Sequence, residues 1–363
     1  MSQSSKNYDS AKLNHKLVPT NSIQLNGRER VRVAVVGFGV MGKHHANIYA
    51  ALPYVDLVAV VEPDANQRDM AQFQHEVRAY ASLDAMLASE ELDAVSIAAP
   101  TGLHYELSKA CLQAGIHVMV EKPVTTDVHE AEALIDLSRN HRLIFQVGHI
   151  TRFYRAVKLL NERVQRPYLI EARRLSPSAR IQDVGVILDL MIHDIDIVLG
   201  LVNSPVADMM ISGHVLASHH EGPNNHEDIA AAQITFENGC IARFLASRIA
   251  PDAERTLVVA EADKTFRIDF SKEPHTEVAI YRAPKGSSTS SEVHMERTNV
   301  HDDNPLKDEL EHFLDRIRYG VIPIGTLEDD LRSLRLATRL LDELHQELQT
   351  RPEQVQASFL HLP

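Results

Sequence analysis

The sequence predicts an α/β fold: an N-terminal doubly wound parallel sheet, then a C-terminal α+β domain with a large, mostly antiparallel open sheet. Up to about residue 150, apolar strand-like runs alternate with helical patterns, which is typical of parallel sheets. A glycine-rich turn follows the first apolar run. Beyond residue 150, successive β-like runs are joined by short turns such as Glu237-Asn238-Gly239, which indicates antiparallel pairing.

The first half contains five predicted strands and four predicted helices. The strands are expected at 31–36, 57–61, 94–98, 116–120 and 143–147. The helices are expected near 41–51, 64–75, 103–114 and 127–139. Helices of this length between strands allow the crossovers that a parallel sheet needs.

The second half is predicted to be a sheet with one helical face. Helical patterns occur at 153–164, 186–201, 305–318 and 326–348, and β-like runs at 168–175, 207–216, 228–236, 240–249, 255–261, 265–270 and 276–282. The last helix begins with an N-cap signal, because Asp329 follows Thr326 by three residues. We expect self-association, as a homodimer or homotetramer, to cover the other face of this sheet.

Composition restricts the class of protein. The 363 residues carry a formal net charge of −13, which disfavours nucleic acids and membrane surfaces as partners. The two cysteines, Cys111 and Cys240, offer no disulfide framework or metal spacing. No apolar run reaches the ~18 residues that a membrane span needs. We therefore expect a cytoplasmic protein.

The first turn has the spacing of a dinucleotide-binding site, and its residues are Gly37-Phe38-Gly39-Val40-Met41-Gly42. Gly37 permits a tight turn, Gly39 lets the backbone approach a pyrophosphate, and Gly42 lets the helix pack closely on its strand. The helix N-terminus favours the phosphate charge. The alternative is an ordinary βα turn with three glycines.

An acid ends the second predicted strand. Glu62 follows Gly42 by twenty residues, where a carboxylate can accept hydrogen bonds from both adenosine ribose hydroxyls. Because it would repel a 2′-phosphate, we predict NAD(H) rather than NADP(H). Arg68 is the one nearby cation able to reach such a phosphate.

The expected domains follow from these patterns. Residues 1–28 are polar without a hydrophobic signal segment and are expected to be a flexible tail. A dinucleotide-binding (Rossmann) domain is predicted at 29–148, a substrate-binding and oligomerisation domain at 149–348, and a C-terminal tail at 349–363.

Polar residues follow three further strands of the first domain, in Ala99-Pro100-Thr101, Glu121-Lys122-Pro123 and Gly148-His149. Ligands of doubly wound sheets bind at the carboxyl ends of the strands. Lys122 would then lie near the reactive ring of the cofactor, where it can hold a substrate oxygen and assist proton movement. The alternative is a solvated charge.

A second cluster lies in the predicted helix 186–201. Asp189 and His193 are four residues apart, so an α-helix would place both on one face. Histidine, with an unperturbed pKa of ~6.5, suits proton abstraction near neutrality, and Asp189 can orient the ring or bind a substrate hydroxyl. The alternatives are a buried structural pair or a metal site that includes Asp196. We expect no metal, because a nicotinamide already supplies the electrophile. Asp194 and Asp196 are expected to be structural hydrogen-bond acceptors.

These motifs together resemble the glucose–fructose oxidoreductase/inositol dehydrogenase family over about residues 30–346. The resemblance implies that Lys122, Asp189 and His193 are catalytic, with His193 as the base. It also implies NAD(P) and the oxidation of a secondary alcohol of a sugar or polyol. The predicted cofactor contacts beyond the first turn are Glu62, Pro100, Thr101, His104, Glu121 and Lys122. Many members have a Gly-Gly pair where this chain has Asp183-Val-Gly185-Val, which leaves the substrate class open.

A narrower similarity lies in Gly148-His149-Ile-Thr-Arg152-Phe-Tyr and in Asp183 to Asp194. These segments resemble the family members that oxidise the 3-hydroxyl of UDP-N-acetylglucosamine, ahead of an aminotransferase in lipid A modification. Such members usually have Asn-Pro where this chain has Tyr154-Arg155.

Local charge is consistent with a diphosphate substrate. Residues 151–180 contain eight Arg or Lys and two Glu, and arginine binds phosphate with two donors. The predicted substrate contacts are Lys122, His149, Arg152, Arg174, Arg180, Asp189 and His193. The sequence thus predicts an NAD-dependent dehydrogenase of a nucleotide sugar. The alternatives are a dehydrogenase of inositol or another free polyol, and a non-catalytic NAD(H)-sensing regulator.

Overall fold

The first part of the chain forms a wholly parallel sheet. A computed structural model describes residues 29–177, 183–216, 226–271, 275–282, 294–301 and 304–350. Its first six strands are β1 (Val31–Val36), β2 (Val55–Val61), β3 (Arg78–Tyr80), β4 (Ala94–Ile97), β5 (His117–Glu121) and β6 (Phe145–Gly148). Their order is β3-β2-β1-β4-β5-β6, with every pair parallel. The predicted doubly wound Rossmann sheet is confirmed.

Helices cover both faces of this sheet. They are α1 (Val40–Ala51), α2 (Ala65–His75), α3 (Leu83–Leu87), α4 (His104–Gln113) and α5 (Val128–His141). The central strand β1 is buried on both sides: Val33 and Val35 pack in the cluster that contains α1, and Ala34 and Val36 pack in the cluster that contains α4 and α5. The Val-rich sequence of β1 reflects this double burial.

The second part begins with α6 (Arg155–Arg163) and β7 (Leu169–Leu175), followed by a π-helical turn at Ile187–Met191 and α7 (Ile192–Leu201). The further strands are β8 (Val206–His214), β9 (Ile229–Phe236), β10 (Ile241–Ser247), β11 (Glu254–Ala260), β12 (Lys264–Asp269), β13 (His275–Arg282) and β14 (His294–His301). The eight-stranded order is β14-β13-β12-β11-β7-β10-β9-β8. Among the described pairs of this second sheet, only β7 and β10 are parallel, so the predicted mostly antiparallel sheet is confirmed.

One face of the large sheet is covered by helices. In β10, Ala242, Phe244 and Ala246 are buried towards α7 and α9 (Leu327–Thr350), while Arg243 is exposed on the opposite face. The remaining helix, α8 (Pro305–Tyr319), packs Phe313 against the first sheet beside α1. The chain therefore returns to the first domain, which the predicted range 149–348 did not anticipate.

Three elements were missed by the sequence analysis. The edge strand β3 has three residues, α3 is a single short turn, and β14 is exposed along almost all of its length. An exposed edge strand needs no apolar alternation, because neither of its faces is buried. No helix in the described ranges is long and apolar enough to cross a membrane.

Candidate active site

The glycine turn after β1 is fixed by close backbone contacts. Gly37 has φ +91°, and a Cβ there would lie 2.5 Å from Ala98 O. A Cβ on Gly42 would lie 1.9 Å from Gly37 O. No other residue type fits these two positions without displacing the backbone.

Gly39 faces open space instead. A Cβ there would meet no atom of the described chain within 4 Å, and Gly39 is the N-cap of α1. The first turn of α1 contains no acid and no side-chain cap, and Val40 is exposed while Met41 is partly buried. The helix N-terminus can therefore take an anion such as a pyrophosphate. The residues present fit a dinucleotide cofactor.

Glu62 lies beside this turn at the end of β2. Its carboxylate accepts hydrogen bonds from the backbone N–H of Phe38 (2.8 Å) and of Asp64 (3.0 Å). Nη1 of Arg68 donates to the carbonyls of Glu62 (2.8 Å) and Pro63 (2.6 Å). The acid is therefore oriented by backbone groups, and the nearby arginine caps the strand end.

The loops after β4 and β5 are tied together. His104 is buried, with Nδ1 2.8 Å from Pro123 O and Nε2 2.9 Å from Ala99 O. The backbone N–H of Thr101 donates to Asp183 of the second domain (2.5 Å). Pro100 is exposed before the short 3₁₀ turn that begins at Thr101. The cofactor contacts predicted for Pro100, Thr101 and His104 stay predictions.

Glu121 is bound by a histidine of α1, and its predicted cofactor contact stays a prediction. Its Oε1 lies 3.0 Å from Nε2 of His45, a buried residue of α1, and Nδ1 of His45 lies 2.7 Å from Ser96 Oγ. Burial would raise the pKa of Glu121, but the hydrogen bond and charge of His45 and the charge of Lys122 hold that pKa below its usual range. The acid therefore links the end of β5 to α1.

Lys122 joins the two domains. Its Nζ donates to Oδ1 of Asp189 (2.9 Å) and to the carbonyl of Asp189 (2.7 Å). Both side chains are largely buried, with 10% and 14% exposed. The ion pair holds the ammonium group at the carboxyl end of β5, beside the junction with the π-helical turn.

The π-helical turn changes the predicted relative orientation of Asp189 and His193. Hydrogen bonds in a π-helix span five residues instead of four, and such turns occur frequently at functional sites. Asp189 lies in this turn and His193 in α7, so an α-helical spacing of four does not apply across them. Asp189 binds Lys122, and no hydrogen bond joins it to His193 in the described structure.

His193 is a buried, neutral imidazole. It is 9% exposed, and its Nδ1 has no hydrogen-bond partner within the described ranges. Burial, followed by the charges of Lys122, Arg174, His149 and Arg255, holds the pKa of His193 well below its usual range. Neutral imidazole is the form that can accept a proton.

Two predicted substrate arginines bind acids of α7, and their substrate contacts stay predictions. Arg174 donates to both carboxylate oxygens of Asp194 (3.0 and 2.7 Å), and both residues are buried. Arg152 donates to Asp196 (2.8 and 2.5 Å) and lies 2.7 Å from Asp330. These pairs anchor α7, because each links it to a different element of the fold.

The surroundings of Asp196 settle its role. Ser333 of α9 donates to Oδ1 (2.9 Å), and the ring of His149 lies 3.9 Å from Oδ2. Although burial raises the pKa of Asp196, the charges of His149 and Arg152 lower it to about 2. The structural roles predicted for Asp194 and Asp196 are confirmed. His149 is 2% exposed, so its substrate contact stays a prediction. Arg180 lies outside the described residues.

A buried acid that sequence reasoning missed fixes the start of the π-helical turn. Oε1 of Glu227 accepts the N–H of Ile187 (2.8 Å), and its carbonyl accepts the N–H of Val186 (3.1 Å). A Cβ on Gly185 would lie 2.0 Å from Glu227 Oε2. Arg248 donates to the carbonyls of Val184 and Glu227. Forty residues separate Ile187 from Glu227, so no local pattern predicts this contact. Its only signal in the sequence is Gly185, which leaves room for the acid.

Comparison with known protein families gives two matches. Residues 31–149 match the family model described as "Oxidoreductase family, NAD-binding Rossmann fold". Residues 157–272 match the "GFO/IDH/MocA C-terminal domain". Together these ranges cover the first sheet and the second sheet up to β12, and they contain Lys122, Asp189 and His193.

Individual relatives have a similar extent. The chain is 33% identical over 290 residues to UDP-N-acetylglucosamine 3-dehydrogenase of Acidithiobacillus ferrooxidans, covering 79% of this chain and 88% of the relative. A solved structure of that enzyme has a TM-score of 0.78 at 31% identity, covering 87% of this chain and 97% of its own. The chain is also 27% identical over 311 residues to scyllo-inositol 2-dehydrogenase (NAD(+)) of Bacillus subtilis, covering 82% and 89% of the two chains.

Proposed function

The chain belongs to the GFO/IDH/MocA family of NAD-binding oxidoreductases, and on that premise we propose that it oxidises the 3-hydroxyl of a UDP-N-acetylhexosamine. The observation that carries the chemistry is the junction of the two domains. There, the Lys122–Asp189 pair and the neutral His193 lie at the end of the sheet that holds the glycine turn.

In this oxidation the substrate carbon loses a hydride and its hydroxyl group loses a proton. Bound NAD supplies the hydride acceptor, at C4 of its nicotinamide ring. Lys122, held by Asp189, donates a hydrogen bond to the reacting oxygen and stabilises the negative charge that develops there. Because Nδ1 of His193 is buried, Nε2 takes the hydroxyl proton. The cations around His193 then favour release of that proton, because they disfavour the imidazolium.

The substrate class is supported by two independent observations. A relative named for this substrate is 33% identical across most of both chains. The excess of Arg and Lys over Glu in residues 151–180 also favours a phosphate-bearing substrate over an uncharged polyol.

The cofactor preference follows from Glu62 and Arg68. The carboxylate of Glu62 is held in place by two backbone N–H groups, and Nη1 of Arg68 donates to carbonyl oxygens. A fixed negative charge at the ribose position repels a 2′-phosphate. We therefore expect NAD to bind more tightly than NADP.

The test is a comparison of substrates. NADH formation is measured with UDP-N-acetylglucosamine, free N-acetylglucosamine, myo-inositol and scyllo-inositol, each with NAD and with NADP. We expect the highest kcat/KM with UDP-N-acetylglucosamine and NAD. A higher value with an inositol would identify a free-polyol dehydrogenase. Binding of NADH without turnover of any sugar would favour a cofactor-sensing regulator.

We also propose that the protein acts in the cytoplasm as a homodimer or homotetramer, with a 3-keto sugar product that an aminotransferase of lipid A modification would consume. The uncovered face of the large sheet carries ion pairs such as Arg173–Glu254 and Arg297–Glu277. Light scattering tests the assembly, and charge reversal at Glu254 should weaken it if this face is the interface.

A further inference from the structure

The turn after β4 lies directly against the glycine turn. The strands β1 and β4 are neighbours in the first sheet, and the helices that follow them, α1 and α4, pack on opposite faces. Ligands of doubly wound sheets bind where the connections reverse in this way. A Cβ on Gly37 would lie 2.5 Å from Ala98 O and 2.9 Å from Ala99 N. The backbones of the two turns are therefore in contact, and the turn after β4 cannot move independently of the cofactor site.

The turn after β4 has no cap from its own segment. Its N-cap residue is Pro100, whose side chain cannot accept a hydrogen bond. A helix start leaves backbone N–H groups without a partner, and a nearby polar side chain normally accepts one of them. Here the acceptor belongs to the second domain: the N–H of Thr101 donates to Oδ2 of Asp183 (2.5 Å). An acid 82 residues further along the chain therefore completes the start of this turn.

Asp183 also begins the segment that leads to the π-helical turn. Six residues later comes Asp189, the partner of Lys122. Between the two acids, Glu227 of the second domain binds the N–H of Ile187 (2.8 Å). Segment 183–189 therefore contacts the first domain at both of its ends, and its middle is held by the second domain.

A buried histidine closes these contacts into a ring. His104 joins the turns after β4 and β5, because its two nitrogens lie 2.9 Å from Ala99 O and 2.8 Å from Pro123 O. Segment 183–189 joins the same two turns from the other domain. Reacting groups must be held close to their productive geometry by the residues that support them. The ring supplies such support, and Asp183 is its link to the turn beside the cofactor site.

We propose that Asp183 is a positioning residue for hydride transfer: by capping the turn after β4 from the second domain, it fixes segment 183–189 relative to the bound cofactor. The proposal rests on the hydride transfer of the proposed function but not on which sugar is oxidised. Asp183 acts through Thr101 and through its own segment, so it needs no contact with the substrate. A displacement of about 1 Å between reacting groups can lower the rate about a hundredfold.

The kinetic test compares Asp183→Ala with a matched control, Asp127→Ala. Asp127 also accepts backbone N–H groups, from His129 (2.7 Å) and Glu130 (3.1 Å), but it caps α5 within the first domain. The substrate is UDP-N-acetylglucosamine, or the inositol that the wild type oxidises, with hydrogen or deuterium at the oxidised carbon. We expect Asp183→Ala to lower kcat about ten- to a hundredfold, with smaller changes in both KM values. Its deuterium isotope effect on kcat should be at least that of the wild type, because hydride transfer is the step that is slowed.

Further variants separate positioning from a general loss of stability. Asp183→Asn should retain most of the rate, because its amide oxygen can still accept the N–H of Thr101. Asp127→Ala should lower the Tm without lowering kcat. If Asp183→Ala does not fold, Thr101→Pro removes the donor of the same hydrogen bond at a position where a helix start tolerates proline, and it should lower kcat similarly. Unchanged kcat in folded Asp183→Ala would overturn the proposal. A loss confined to the KM of the sugar would also overturn it and make Asp183 a substrate contact.

A second measurement needs no sugar substrate. Hydrogen–deuterium exchange of residues 184–192 is followed by mass spectrometry with NADH bound. Exchange should be faster in Asp183→Ala than in the wild type, because one end of the segment is released, and Asp127→Ala should match the wild type. Equal exchange in all three proteins would overturn the proposal.

The two proposals fail in different ways. If the wild type oxidises none of the sugars but exchange of residues 184–192 depends on Asp183, the proposed function is wrong and the positioning contact stands. If Asp183→Ala oxidises the sugar as fast as the wild type, the positioning role is wrong and the proposed function stands.

Discussion

The glycine turn and the Lys122–Asp189 junction between the two domains are built in opposite ways. The turn is made of consecutive residues, and its two tightest contacts involve Gly37, Gly42 and the adjacent strand end. The junction is made of side chains from distant segments: Lys122 and Asp189 are 67 residues apart. A local motif therefore specifies its own geometry, whereas an assembled site depends on the ion pairs that hold its parts together.

The largest expected effect concerns the chemistry at the junction. His193→Ala should lower kcat by about 10²- to 10⁴-fold, the usual contribution of a general base, and Lys122→Ala should act similarly. The NAD affinity of His193→Ala, measured by NADH fluorescence, should not change, because the glycine turn is intact. Replacement of His129, an exposed histidine of α5, is the control. Normal turnover with a lowered Tm in His193→Ala would make His193 a structural residue.

The next effect concerns the anchors of the catalytic helix. Arg174→Ala leaves Asp194 buried without its bidentate partner, a change that typically costs about 3–5 kcal/mol of unfolding free energy. The neighbouring Arg173 forms an exposed ion pair with Glu254, and Arg173→Ala should cost about 0–1 kcal/mol. Urea unfolding measures both. Similar losses in the two variants would show that the buried pair does not anchor the helix.

Two glycines of the turn should affect different properties: Gly42 the stability of the fold and Gly39 the binding of the cofactor. Gly42→Ala places a methyl group against Gly37 O, and such overpacking costs about 1–3 kcal/mol. Its Tm should fall with and without cofactor. Gly39→Ala meets no chain atom, so the Tm of the free protein should be unchanged, while the Kd for NAD rises about tenfold, or about 1.4 kcal/mol. A lowered Tm of free Gly39→Ala would show that Gly39 is needed by the fold itself.

The same contrast explains which features the sequence could predict. The first sheet and the glycine turn follow from local patterns, since apolar runs such as Val31–Val36 reveal double burial without knowledge of the partners. Spacing and unfavourable apolar surroundings indicated the candidate catalytic residues. Their pairing was not predictable, because a charge in a sequence does not indicate its partner: Arg174 could bind a phosphate or Asp194 equally well.

Two features of the catalytic helix depend on tertiary contacts alone. The π-helical turn at Ile187–Met191 contains ordinary apolar residues around Asp189, and its start is capped by Glu227 from a distant segment. Neither local propensity nor periodicity signals such a contact. The charge of Arg255, which lowers the pKa of His193, was missed for a related reason: Arg255 follows a turn, and only the register with Arg174 reveals which face of the sheet it occupies.

The smallest expected effect is on pH dependence. Because burial and nearby positive charges hold the pKa of His193 well below its usual range, the acidic limb of kcat/KM, which reports the base of the free enzyme, should lie below the ordinary histidine range. The free energy of unfolding should also decrease as pH falls. The unfolded chain, with a histidine pKa of ~6.5, binds the proton first, so the contribution of His193 to stability is complete above that pH and is lost as pH falls.

Removing one of those positive charges should move the acidic limb. Arg255→Gln relieves part of the repulsion on the imidazolium, so the pKa of His193 rises and the limb shifts to higher pH. Arg267→Gln, in β12 and on the other face of the sheet, should leave the limb in place, because its charge is not among those that lower this pKa. The profile is best measured at saturating NAD with a sugar substrate at low concentration. An unshifted limb in Arg255→Gln would mean that its charge does not reach the base.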